Sequence, residues 1–209
     1  MNIDVLLENI VKHFPVPERE LSVPPRFIVI RSFDINKPGT KPADIKGGIA
    51  GGALVRGVFR LGEEIEVRPG LISKRRAPDG TVTDEQECRP IRSRIISMHA
   101  ENNELAVAVP GGLVGIATLI DPCITAKDRI VGMIIGHPGK MPPIFSAVVV
   151  EHFLLKNVLG MNRQGPSGTN AGERNARRVK SIEVGECLQL NIGSHKCGGE
   201  IKAVGEEGE

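Results

Sequence analysis

The sequence contains no tryptophan and no tyrosine, and its 3% of aromatic residues is six phenylalanines. That scarcity argues against a stacking platform for single-stranded bases. Four cysteines, Cys88, Cys123, Cys187 and Cys197, stand far apart without a CxxC pair. Structural zinc needs closely spaced ligands, so the thiols read as reduced cysteines of a cytoplasmic protein. No apolar run is long enough to span a bilayer, and no secretory leader is recognisable. His13, His99, His137, His152 and His195 form no HExxH pair. Glu151 and His152 are strand neighbours on opposite faces, which is no acid–base couple. Gly47–Gly52 has the GxxxxG spacing of a phosphate loop, but Ala53 and Leu54 occupy the places of the lysine and the hydroxyl residue. Gly165-Pro166-Ser167-Gly168 lacks the spacing of a nucleophile elbow. Nothing in the chain supports catalysis.

What is abundant points to strands. With 25 glycines, 15 prolines and 40% apolar residues, many short strands joined by tight turns are expected. One helix comes first: Ile3, Leu6, Leu7, Ile10, Val11 and Phe14 share a face, Asn2 can cap it, and Pro15 stops it. Strands are then expected at Phe27–Phe33, Gly47–Arg60, Ile65–Arg68, Ile91–Met98, Leu105–Val109, Leu113–Ile116 and Ile130–Ile135, with glycines marking bulges or close approaches. About seven short strands with almost no helix predict a closed antiparallel barrel. Gly136–Pro143 reads as a stiff linker, Ile144–Leu155 as a new apolar strand, Asn162–Arg178 as a loop, and Cys187–Ile192 and Glu200–Val204 as further strands.

The net charge of +2 does not identify a polyanion binder, so local clusters matter. Arg92 and Arg94 share a strand face near Lys74-Arg75-Arg76, and Arg174, Arg177, Arg178 and Lys180 form a second group. Each can hold phosphates, although a solvated face is the commoner outcome. Glu63, Glu64 and Glu66 bracket a turn and read as solvated charge.

Read in order, several stretches resemble the gamma subunit of eukaryotic and archaeal translation initiation factor 2. They are NIDVLLENIVKHFPVPER (2–19), RSFDINKPG (31–39), KGGIAGGALVRGVFRLGEEIEVRPG (46–70), PGGLVGIATLIDP (110–122) and FLLKNVLG (153–160). The barrel also resembles domain II of the wider translational GTPases, among them the selenocysteine-specific elongation factor. RSFDINKPG and the length of its following loop favour the initiation factor.

The resemblance implies an architecture and a role. Residues 1–24 would be the closing helix and linker of a missing GTPase domain, 25–138 the domain II barrel, and 139–209 part of a second barrel, domain III. The parent binds GTP with magnesium and, with its alpha and beta subunits, delivers methionyl initiator tRNA to the small ribosomal subunit. This chain would keep the alpha-subunit surface, for which Asp34, Asn36, Lys37 and Pro38 are the candidates. Without the GTPase domain it would lose the nucleotide, its magnesium and the beta subunit. Arg31, Gly51, His99 and Glu101 fall where the wider family holds the aminoacylated tRNA end.

Overall fold

A computed structural model describes residues 2–76, 82–154 and 182–205; of 75–85 it fixes no side chains. The described chain divides into two compact units, the first comprising the residues up to Ile144 together with Ile192–His195. Helix α1, Ile3–His13, forms as its periodicity predicts, but Asn2 makes no side-chain capping bond and no residue of the helix is buried.

The barrel is built from β1 (Arg26–Phe33), β2 (Ile49–Arg56), β4 (Glu64–Arg76), β5 (Val82–Ala100), β8 (Val114–Thr118) and β9 (Ile134–Gly136). All pairings are antiparallel, in the order β4-β9-β1-β2-β8-β5, and β5 returns to β4 to close the cylinder. Closure removes the unpaired edges that a short open sheet would present. β6 (Asn103–Glu104) turns back along β5. β3 (Phe59–Arg60) and β7 (Val107–Ala108) pair at the rim, seating Phe59 and Ala108 in the core.

Alternation along each strand sends Phe27, Val29, Leu54, Ile65, Val67, Ile95, Met98, Ile116 and Ile135 inward. Bulges reset that alternation, among them two between β1 and β2 and one at Ile96 between β5 and β8. Val29 faces Gly52 while Arg31 faces Gly51, leaving Ile30 unpaired; near the other end Val55 is the extra residue. The first bulge turns Ser32 inward and points Arg31 and Phe33 out. An uninterrupted strand would have buried Arg31.

Gly136–Pro143 is held against the barrel rather than left free. Met141 is buried, and the Arg68 guanidinium donates to the carbonyls of Pro142, at 2.6 Å, and Met141. Arg68 in turn holds Glu66, whose second carboxylate oxygen lies 3.5 Å from Arg92. Glu66 is 2% exposed, so its reading as solvated charge is corrected: it is buried and paired with two arginines. Glu63 is engaged as well, meeting His137 at 3.0 Å and accepting from the Arg60 amide.

Residues 144–154, expected as a strand, have no regular structure, and Val148, Val149 and Phe153 are exposed. No described strand pairs with them, and an apolar run alone does not make a strand. Further along the chain β10 (Cys187–Ile192) matches its expected position. Its partner β11 is His195–Glu200, directly after a two-residue turn, rather than Glu200–Val204.

Candidate functional site

Sheet pairing assembles one line across four strands. Arg31 of β1 lies opposite Gly51 of β2, Gly51 opposite Gly115 of β8, and Gly115 opposite His99 of β5. All four face outward, because their neighbours Ser32, Ala50, Ile116 and Met98 point into the core. The two glycines floor a shallow trough. A methyl group at Gly51 would rest 3.7 Å from the Phe33 ring, and one at Gly115 would lie 3.8 Å from the His99 carbonyl. The space is therefore open to a ligand that must approach the backbone.

The flanks carry the chemistry. Arg31 is 69% exposed at its side chain and pairs with Asp128 at 3.3 Å. Asp128 also accepts the Ser32 amide at 2.8 Å and has φ +60, next to Lys127 at φ +57. Two consecutive left-handed residues are costly for L-amino acids, and these bonds hold the turn against β1. Thr125, the last residue of α2 (Pro122–Thr125), adds a bond from its hydroxyl to the Phe33 carbonyl. Arg31 is thus an oriented, exposed cation with one carboxylate beside it. His99 is exposed on the opposite flank. Glu101 stands apart from the line: it occupies the β5–β6 turn at φ +54, two residues beyond His99.

The second candidate region is the connection after Phe33. Asn36 closes it: its amide nitrogen donates to the Lys46 carbonyl at 2.7 Å and its oxygen accepts the Lys46 amide at 2.8 Å. Asp34 accepts from the Asn36 backbone and side chain. At the tip the Lys37 carbonyl accepts from the Thr40 amide and hydroxyl, and Gly39 takes φ +85. Asp34 and Asn36 therefore shape the loop, and Lys37 and Pro38 are exposed at its tip.

The arginine clusters divide. Arg94 pairs with Glu64 at 3.4 Å and Arg92 with Glu66, so that face is internally compensated. Glu87 hydrogen-bonds Arg89 and, with its charge, raises the guanidinium further above its ordinary range, so it stays a cation. The cluster Arg174, Arg177, Arg178 and Lys180 lies outside the described residues. Among the described residues no group of three or more His, Cys, Asp or Glu is placed to hold a metal ion. No described helix is long and apolar enough to cross a membrane.

Of the residues expected at the pocket, the sheet brings Arg31, Gly51 and His99 into one line and leaves Glu101 apart, while Gly115 and Asp128, which adjoin that line, were not expected. Gly115 had a signal, the small–large alternation of Val114-Gly115-Ile116-Ala117. Asp128 had none, because its partners Arg31 and Ser32 lie in a distant strand, Ser32 being 96 residues away in sequence.

No protein-family model matches the chain. Over 203 residues it is 48% identical to Eukaryotic translation initiation factor 2 subunit 3 of Drosophila melanogaster. Over 203 residues it is 44% identical to Eukaryotic translation initiation factor 2 subunit gamma of Schizosaccharomyces pombe. Each alignment takes in 97% of this chain, which spans 40% and 42% of the two relatives. Identity of that order across nearly the whole sequence, carried on a closed six-strand barrel, makes this chain a member of the gamma-subunit family of translation initiation factor 2.

Proposed function

We propose that the chain is the docking and tRNA-supporting portion of a gamma subunit of translation initiation factor 2. In this reading residues 1–24 belong to the GTPase domain, 25–138 form domain II and 139–209 begin domain III. The exposed apolar face of α1, with Leu6, Val11 and Phe14 outermost, is consistent with a helix that packs against that first domain. GTP, magnesium and hydrolysis belong to the whole protein, as do the beta subunit and delivery of methionyl initiator tRNA to the small ribosomal subunit. The chain itself contributes binding surfaces in the cytoplasm and no catalysis.

The observation that carries the reading is the line Arg31–Gly51–Gly115–His99. An open, glycine-floored trough flanked by a cation suits the aminoacylated end of a tRNA, whose sugar and phosphate groups need close backbone approach and a positive partner. Glu101 contributes from the adjoining turn. The loop pinned by Asn36 supports the docking half of the proposal, because a pre-shaped loop loses little freedom on meeting the alpha subunit.

Calorimetric titration with the C-terminal domain of the alpha subunit tests it. Saturable binding is expected, and Lys37→Glu weakens it by about tenfold or more, the equivalent of about 1.4 kcal/mol. Asn36→Ala lowers affinity with Lys37 intact, since the free loop must then be ordered on binding. GTP with magnesium gives no heat. A folded chain that ignores the alpha subunit sinks the docking assignment.

A further inference from the structure

The outer face that carries Arg31 holds a second cationic feature at its far end. Arg26 of β1 and Arg56 of β2 are register partners. Phe27 and its partner Leu54 point inward, so Arg26 and Arg56 share the outward side beyond the Val55 bulge. Two like charges directly opposite on neighbouring strands repel. Nothing described relieves them. Neither guanidinium has an ion-pair partner among the described residues, and each Nε is shielded from solvent without a hydrogen-bond acceptor. Elsewhere on the barrel exposed arginines do find carboxylates, as Arg94 finds Glu64 and Arg31 finds Asp128. Arg60 and Arg129 also have no carboxylate partner among the described residues, but Arg26 and Arg56 differ from them in standing directly opposite each other with buried Nε atoms, and a buried donor left without an acceptor is unfavourable.

We infer that Arg26 and Arg56 form an oxyanion clamp that takes a backbone phosphate of single-stranded RNA. A tetrahedral anion between the two heads accepts from both, pairs the orphaned Nε protons and cancels the repulsion. The side chains need only swing about their own torsions, a fast motion for half-exposed residues. RNA is favoured over an acidic protein segment by continuity. Ile28 and Ala53 separate the clamp from the Arg31–Gly51 pair on the same face, a run of about 13–16 Å at the rise of a strand. A strand whose last nucleotide occupies the trough can therefore lay an earlier phosphate on the clamp. That choice of ligand rests on the trough reading above; the anion site does not.

Two measurements on the whole chain test this. In low-salt, phosphate-free buffer Arg56→Met, and independently Arg26→Met, melts above the parent by about 2 °C, because removing either charge relieves the pair. Inorganic phosphate, against chloride of equal ionic strength, raises the parent's melting temperature and leaves both variants unmoved. Variants that melt lower yet keep the phosphate shift overturn the clamp. In the second measurement a short single-stranded RNA ending in CCA is titrated across salt concentrations. Arg56→Met weakens binding severalfold and flattens the salt slope by about 0.7, the loss of one phosphate contact. Arg31→Ala weakens RNA binding while keeping the phosphate shift. If Arg31→Ala matters and Arg56→Met does not, the clamp falls and the trough stands; the reverse result removes the trough alone. An acidic peptide of matched charge that stabilises the parent as well as the RNA does overturns the assignment to RNA.

Discussion

Gly52→Ala is expected to cost the barrel about 3 kcal/mol or more, with a fall in melting temperature of roughly 10 °C, while its neighbour Gly51→Ala costs almost nothing. A β-carbon at Gly52 would lie 1.9 Å from the Ile28 carbonyl oxygen and 3.0 Å from the Phe27 ring. The obstruction is backbone, and that backbone cannot retreat. β1 is hydrogen-bonded to β2 on one side and β9 on the other, with Phe27 and Val29 fully buried beneath it. Moving Ile28 away would open the β1–β2 pairing at the bulge. At Gly51 the nearest atoms stand 3.7 and 3.8 Å away, ordinary contact. Alanine there also removes the entropy disadvantage of glycine in a strand, which offsets any crowding. Scanning calorimetry of both variants decides the matter. Equal melting temperatures would mean that the strands pack less tightly at Gly52 than the register requires. The same comparison separates function from fold: Gly51→Leu should melt normally yet fill the trough and abolish RNA-end binding.

Local pattern made the helix and most strands of the barrel readable. Ile3, Leu6, Leu7 and Ile10 recur at helical spacing, and Phe27 and Val29 alternate with Ile28 as a strand requires. What the pattern hid were features created by pairing. A bulge inserts one residue, and the side-chain period of two then moves every later residue to the other face. No local property of Ile30 announces that. Hence periodicity gave no reason to set Arg31 beside Gly51 and His99; the family resemblance grouped those three, and Gly115, which the pairing puts between Gly51 and His99, was not among them. The loop candidates show a similar limit. Asp34 and Asn36 are the polar residues a partner site would be expected to use, yet Lys46, ten residues on, engages Asn36 instead. The run 144–154 fails in the opposite way. Its valines have strand propensity, but propensity expresses fit to a covered pleated surface, and no described strand covers them.

Glu66 was misread for the same reason, and its removal is the second large effect. Its turn-side neighbours suggested solvent, whereas Arg68, Arg92 and the β9 strand partner Gly136 surround it in the closed barrel. Glu66→Ala is expected to destabilise by about 2–3 kcal/mol. That is below the 3–5 typical of breaking a sealed ion pair, because one of the two arginines keeps its head in water. The Arg92 side chain is 77% exposed and resolvates easily, whereas Arg68 is only 24% exposed and loses the acceptor of its Nε proton. Arg68 then retains the Pro142 and Met141 carbonyls alone, so its orientation over the exit turn is no longer fixed from two sides. Glu66→Gln keeps the volume and one acceptor oxygen and should lose about half as much. Glu64→Ala is the control. Its pair with Arg94 is exposed at both ends, and such pairs contribute within about 0.5 kcal/mol. Hydrogen exchange adds a local readout: amides of residues 139–144 should exchange faster in Glu66→Ala and unchanged in Glu64→Ala. If the two alanine variants melt together and the exit turn stays protected, Glu66 is not what fastens that turn. The anchoring would then fall to the Glu63–His137 contact and the burial of Met141, whose removal by Met141→Ala would be the larger effect.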